Sequence, residues 1–245
     1  MTPEPERYRL YYWPTLPGRG ELVRLIFEDA GVPYLDVARL PAEAGGGVAR
    51  ILELRRGEAP GLLPYAPPIL EVGDLVLSQT AVICDFLARR FGLVPEDEAS
   101  RLAALQLQLT LLDVVAEAHD THHPISTAKY YEEQRDAAKD AARAFIATRL
   151  PSWLAYFERV AERAGGAFLL GAEASYVDLA LFQVVEGLRH AFPQAMARQS
   201  CPRVFAIAAA VSQRPGIARY LASERRLPFN EQGIFRYYAE LDSAE

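Results

Sequence analysis

The sequence predicts two domains, a small α/β domain over residues 7–92 and an all-helical domain over 97–245. Three observations predict this. Strand-like runs and tight-turn residues are confined to the first 92 positions. Beyond Leu93–Ala99, which carries Pro95 and reads as a linker, Ala and Leu dominate and apolar residues recur at helical spacing. The 245 residues are 51% hydrophobic and 24% charged, which supplies ample core for one or two domains.

Residues 7–13 read as a strand, with Leu10 and Tyr12 on one face and Tyr11 on the other. The pattern breaks at Pro14 and Pro17, crosses Gly18-Arg19-Gly20 and opens a helix to Ala30, with Leu22, Leu25, Ile26 and Ala30 in phase. Gly31 and then Pro33 stop it. Tyr34–Ala38 is a second strand, and strand–helix–strand is the crossover of a parallel pair. Residues 41–66 are loops marked by Gly45-Gly46-Gly47 and Pro60-Gly61, around a short helix at Ile51, Leu52 and Leu54. Pro67–Val72 and Leu75–Leu77 form a hairpin across Gly73-Asp74. Ser78 is placed to cap a helix from Gln79 to Phe91, which Gly92 ends.

Helical segments follow near 97–123, 131–163, 175–191, 202–212 and 215–222. In the first, Leu102, Leu105, Leu109, Leu112 and Ala116 form one apolar stripe, and Ala104, Leu107, Leu111, Val114, Val115 and Ala118 extend the apolar surface. Gln106, Thr110, Asp113, Glu117 and Asp120 form a narrow polar stripe that is either a solvated seam or the lining of a cleft. At its end, His119 and His123 have the i, i+4 spacing that can hold zinc. Pro124 follows at once and no second ligand motif accompanies them, so a polar helix end is expected and no metal.

A net charge of -6 gives no support to a nucleic-acid partner. Cys84 and Cys201 form no motif, which favours a reducing compartment without a structural disulfide. No apolar run approaches the length that spans a membrane, and Met1-Thr2-Pro3-Glu4-Pro5-Glu6 does not read as a signal peptide, so the expected location is cytoplasmic.

Three motifs in order resemble the glutathione S-transferases of the tyrosine type. The first is Tyr12-Trp13-Pro14 with Gly18-Arg19-Gly20-Glu21-Leu22-Val23-Arg24. The second is Pro67-Pro68-Ile69-Leu70 with Gly73-Asp74-Leu75 and Ser78-Gln79-Thr80-Ala81-Val82-Ile83, and the third is Gly171 with Ser175-Tyr176-Val177-Asp178. The resemblance covers residues 7 to 222. It implies a thioredoxin-like first domain, a helical second domain contributing the second-substrate site, a homodimer, and detoxifying conjugation of glutathione to a small hydrophobic electrophile.

The chemistry fits the residue types. A free thiol of pKa about 8.5 is mostly protonated at neutral pH. Lowering that value by one unit takes about 1.4 kcal/mol, and one hydroxyl donor to a charged acceptor supplies about 1.5–3 kcal/mol. Tyr12 is the catalytic candidate, with Tyr11 and Tyr8 as local rivals. Gln79 and Thr80 stand at a helix N-terminus, which favours a carboxylate. The resemblance assigns them the γ-glutamyl carboxylate of glutathione, Arg19 the glycine carboxylate, and Asp120 the γ-glutamyl ammonium in the neighbouring subunit, with Asp113 and Glu117 competing. Arg24 is expected in a structural ion pair.

The sequence departs from the family in two places. There is one extra residue at Thr15-Leu16-Pro17, which reshapes the turn beside the sulfur. Pro67 stands where the family uses both N–H and C=O on the glutathione cysteine; proline has no N–H, so only its carbonyl can serve. Pro68 is expected to be cis. The same frame would also support a glutathione-dependent isomerase or peroxidase, or a non-catalytic binding protein. A thiol–disulfide oxidoreductase is disfavoured, since no cysteine stands near the end of the first strand.

Overall fold

A computed structural model of the chain describes residues 8–58 and 61–242. Residue 7 of the first strand, the Met1–Glu6 stretch, Pro60 of the loop marker and residues 243–245 of the helical domain lie outside the described residues. The chain divides into two compact units. One runs to Leu93 and takes back Arg214–Leu227; the other is Val94–Gln213 with the segment from Pro228. A boundary drawn once, with everything from 97 to 245 helical and together, therefore differs from the observed division at residues 214–227.

The first unit holds a four-stranded sheet in the order β2-β1-β3-β4, from β1 (Tyr8–Tyr11), β2 (Tyr34–Asp36), β3 (Ile69–Val72) and β4 (Leu75–Ser78). β1 pairs parallel with β2 and antiparallel with β3, and β3 pairs antiparallel with β4. β2 is shorter than expected, because Val37–Arg39 turns into a short 3₁₀ segment. On one face Tyr11, Val37, Ala38, Ile69 and the buried side of α2 (Val48–Arg55), through Ile51 and Leu54, make a core cluster. α1 (Gly20–Ala30) and α3 (Thr80–Phe91) pack together, and the rings of Tyr8, Phe27 and Phe91 gather within 5.3–5.8 Å of one another.

α1 is buried from Gly20 to Glu28 because α10 (Pro215–Leu221) also packs on it. That approach is close: a Cβ on Gly216 would lie 2.2 Å from the Glu28 carbonyl oxygen. α1 and α3 end on Gly31 and Gly92 at φ +66° and +69°, as the local sequence predicts.

In the second unit α4 (Glu98–Asp120) packs on α7 (Tyr176–Ala191), which packs on α9 (Pro202–Ser212), itself against α6 (Leu150–Ala164). α5 (Arg135–Ala144) runs into α6 through a π turn at Phe145–Arg149, and the short α8 (Pro193–Ala197) follows α7. α7 starts with a buried capping box. The Asp178 carboxylate accepts from Leu169 N, Ser175 N and Ser175 Oγ at 2.7–2.8 Å. By length and composition alone α4 could cross a bilayer, which the sequence reading did not anticipate; here it is a packed helix of this unit.

The buried side of α4 is Ala104, Leu107, Gln108, Leu111, Val114, Val115 and Ala118. The stripe through Leu102 and Leu109 is the exposed one, at 53% and 49%. The segment after Pro228 docks on this same unit. Phe235 fills the space above Gly187, Tyr238 stacks on Tyr131 at 3.9 Å, and Asp242 accepts from Gln194 N and Ala195 N at 2.7 and 3.0 Å.

Candidate active site

The site is built where three chain segments leave one end of the first unit's sheet. Tyr11 pairs with Ile69, and Ile69 with Ser78. The next residue outward on each segment is Tyr12, Pro68 and Gln79, so strand register alone brings the first motif and both halves of the second to a common edge. The Pro67–Pro68 bond is cis, as expected.

Tyr12 and Tyr11 separate as strand alternation requires. The Tyr11 hydroxyl is committed, donating to Glu71 Oε2 at 2.5 Å, and burial with that carboxylate pushes its pKa up to about 12. Tyr12 is buried, and its hydroxyl oxygen accepts the Arg19 backbone N–H at 2.9 Å. Among the described residues its own hydrogen finds no acceptor. Burial raises the Tyr12 pKa, opposed by the Arg19 N–H and by the Arg24 charge, so the phenol stays protonated at neutral pH.

The glycines on either side of Arg19 make this fit possible. A Cβ on Gly18 would lie 2.2 Å from the Tyr12 hydroxyl, and one on Gly20 would lie 2.4 Å from its ring. Gly18 also sits at φ +41°. Arg24 lies 5.7 Å from the ring centroid of Tyr12 and is wholly buried. It pairs with Asp36 at 2.7 Å and Glu21 at 3.1 Å. Burial works against its charge, but the two carboxylates more than compensate and hold it protonated. Thr15, in the turn of altered length, is exposed.

At the start of α3 the expected Ser78 cap is absent. Ser78 remains in β4, and Gln79 precedes the helix at φ +72°, the one positive φ among the described non-glycine residues. A non-glycine residue held there costs about 1–3 kcal/mol, and such strain clusters at functional sites. The Gln79 side chain does not cap α3, which leaves first-turn N–H groups for an anion, with Thr80 buried beside them and Gln79 exposed. Pro67 is partly buried and offers a carbonyl but no N–H. The Arg19 side chain is exposed and has no ion-pair partner among the described residues.

Asp120 belongs to the second unit and has an exposed side chain, with His119 Nδ1 at 3.4 Å. Its rival Glu117 is occupied: Arg149 donates to both of its oxygens at 2.7 and 2.9 Å, and Trp153 Nε1 donates at 2.9 Å. The Arg149 and Trp153 bonds hold the Glu117 carboxyl below the usual carboxylate range despite its burial. Asp113 is exposed.

A family profile described as glutathione S-transferase, C-terminal domain, matches residues 119–224. A glutathione S-transferase of Plasmodium yoelii yoelii is 23% identical over 85% of this chain and 90% of its own length. Glutathione S-transferase P 2 of Bufo bufo is 28% identical over 92% of this chain and 98% of its own. Over most of its length the chain is similar to glutathione S-transferases. Among solved structures, a prostaglandin synthase D of Nilaparvata lugens superposes with a TM-score of 0.71 over 91% of this chain and 100% of that one. At 18% identity that likeness speaks for the transferase fold alone.

Sequence reasoning missed the residues that reach the acidic groups of α1 from far along the chain. Tyr220 and Arg226 both reach Glu21, and Arg225 and Arg214 reach Glu28 and Asp29. A cluster of arginines at 214, 219, 225 and 226 was the available signal, but spacing alone does not say what it meets.

Proposed function

We propose that this chain is a transferase that activates glutathione through Tyr12 and conjugates its thiolate to small apolar electrophiles. One observation carries the reading: a buried phenol whose oxygen is already engaged by the Arg19 N–H, and whose own hydrogen finds no acceptor among the described residues, at the sheet edge shared with Pro68 and Gln79. Such a phenol acts as a donor. A thiolate placed before it gains a charge-assisted hydrogen bond worth about 1.5–3 kcal/mol, enough to lower a thiol pKa by one to two units.

In this proposal Arg19 holds the glycine carboxylate and the Pro67 carbonyl accepts from the cysteine N–H. Gln79, Thr80 and the uncapped start of α3 hold the γ-glutamyl carboxylate. Asp120 serves the γ-glutamyl ammonium of a second subunit; Glu117 is already engaged by Arg149 and Trp153. The substrate pair is therefore glutathione and a hydrophobic electrophile, with detoxification in the cytoplasm as the setting and no metal. Both cysteines are free and buried, in keeping with a reducing compartment.

The homodimer is part of the proposal. Leu62 and Tyr65, on the loop before β3, are 83% and 84% exposed. A groove of about 560 Å³ between α4 and α6 is lined by Ala103, Leu107, Val160 and Ala164 together with Gln106, Tyr156 and Arg163. An apolar projection and a recess of mixed lining on one chain suit a two-fold pair.

The deciding experiment combines retention on immobilised glutathione with the ultraviolet signature of bound thiolate. Tyr12→Phe is expected to keep retention, lose the thiolate signal at neutral pH and slow conjugation about 10–100-fold. Unchanged conjugation in that variant would dismiss Tyr12, and failure of the parent protein to be retained would favour a non-catalytic relative. Sedimentation equilibrium tests the dimer, which a monomer mass at micromolar concentration would refute.

A further inference from the structure

Residues 214–227 leave the helical segment and fasten α1 at both ends. At its C-terminal end the fastening is peripheral. Arg225 pairs with Glu28 at 2.6 and 2.8 Å while remaining 57% exposed, and Arg214 pairs with Asp29 at 2.6 and 2.7 Å. At its N-terminal end it is internal. The Tyr220 hydroxyl donates to Glu21 Oε1 at 2.6 Å, Arg226 Nη1 donates to that same oxygen, and both Tyr220 and Glu21 are wholly buried.

From Glu21 the contacts continue to the phenol. Glu21 Oε2 accepts from Arg24 Nη1 at 3.1 Å, and this nitrogen also donates to the carbonyls of Leu16 and Pro17 at 3.3 and 3.4 Å. Arg24 Nε is held by Asp36 at 2.7 Å. Leu16 and Pro17 open the turn whose far end presents the Arg19 N–H to Tyr12.

We propose that Tyr220 and Arg226 are positioning residues for the Tyr12 hydroxyl, acting through Glu21, Arg24 and the Leu16–Pro17 turn; this rests on the reading of Tyr12 as the thiolate donor. Two donors on one oxygen of Glu21 fix the carboxylate's rotation and so give Arg24 a fixed partner. Arg24 in turn pins the turn against a ring that leaves no spare room at Gly18. An N–H on the phenol oxygen polarises the O–H and directs its hydrogen outward, since hydrogen bonds in series strengthen one another. If the turn drifts, the phenol becomes a weaker donor and the bound thiol's apparent pKa rises.

The test is the pH profile of kcat/KM for an aryl chloride at saturating glutathione, which reads the thiol in the enzyme–glutathione complex, alongside the melting temperature of each variant. Tyr220→Phe and Arg226→Gln are expected to raise the acid-limb midpoint by about half a unit, a fall of about threefold on its acid side. Arg226→Lys restores part of the shift. Arg225→Gln, which cuts the same segment's other fastening, lowers the melting temperature but leaves the midpoint in place. The proposal is overturned if folded Tyr220→Phe and Arg226→Gln keep the parent midpoint, or if Arg225→Gln moves it equally. Should Tyr220→Phe not fold, Arg226→Gln carries the test alone, its side chain being 13% exposed. A Tyr12→Phe variant with the parent profile removes the underlying reading, and does so independently of the tail variants.

Discussion

At the end of β1 and at the end of α4 the chain buries a polar cluster beside a turn, and the two clusters are bonded in opposite ways. At Tyr12 the described residues engage the oxygen and leave the hydrogen without an acceptor. At His122 every ring nitrogen is used. Nε2 lies 2.7 Å from the Ile234 carbonyl, which can only accept, so Nε2 carries the hydrogen. Nδ1 of the neutral ring is then an acceptor, and it lies 2.5 Å from His123 Nδ1, which must donate. The first cluster has donor capacity to offer a ligand. The second spends both nitrogens of the His122 ring, one of them fastening the tail at Ile234 to the end of α4. Spare capacity at a sheet edge reads as function, and exhausted capacity in a packed corner as structure.

The hardest blow to this contrast is Gly18→Ala. A Cβ there would meet the Tyr12 hydroxyl at 2.2 Å on a backbone at φ +41°. The hydroxyl must move or the turn must open, and misplacement of a reacting group by about 1 Å costs on the order of 100-fold. Conjugation kinetics should show that loss while far-ultraviolet circular dichroism stays native. Near-parent activity would mean that the phenol's placement is not what matters.

The second corner answers to pH. Burial, with repulsion from Arg236, lowers His122 to about 3 and His123 to about 4, the Ile234 carbonyl and Asp120 opposing only in part. Both folded values lie below the unfolded value of about 6.5, so the unfolded chain binds protons first. The stability these rings contribute is whole above about pH 6.5 and is lost as pH falls toward the folded values, at no more than about 1.4 kcal/mol per unit for each ring. Between pH 7 and 5 the urea midpoint should report a loss of about 2 kcal/mol, discounted for partial solvent access. His122→Gln should flatten the dependence. A parent protein equally stable at both pH values would show that the pair is not buried neutral.

These contrasts also mark what the sequence made legible. The hairpin at Gly73-Asp74, the stops at Gly31 and Gly92 and the cis bond at Pro67–Pro68 follow from local backbone chemistry, which a short window contains. The buried side of α4 did not follow. Its apolar residues cover most of the helix circumference, so periodicity offers several faces, and Leu102 and Leu109 turn out exposed. The Ser78 cap failed because the strand keeps Ser78 and the bend falls on Gln79. The Tyr220–Glu21 bond joins residues 199 positions apart, and no local pattern encodes such a pairing.

Gln108 sharpens the contrast with the smallest effect. It is fully buried on α4, and among the described residues neither its amide nitrogen nor its amide oxygen has a partner. By the rule drawn from Tyr12, spare capacity would mark it as functional. It differs in place: it sits mid-helix on the buried side of α4, not at a sheet edge or a turn. An unpaired buried amide costs about 1–3 kcal/mol, and an apolar residue of similar volume removes the cost without opening a cavity. Gln108→Leu should therefore raise stability by about 1 kcal/mol, read from the urea midpoint, and leave conjugation kinetics alone. If instead it lowers kcat/KM at unchanged stability, Gln108 joins the site, and bonding capacity matters more than position.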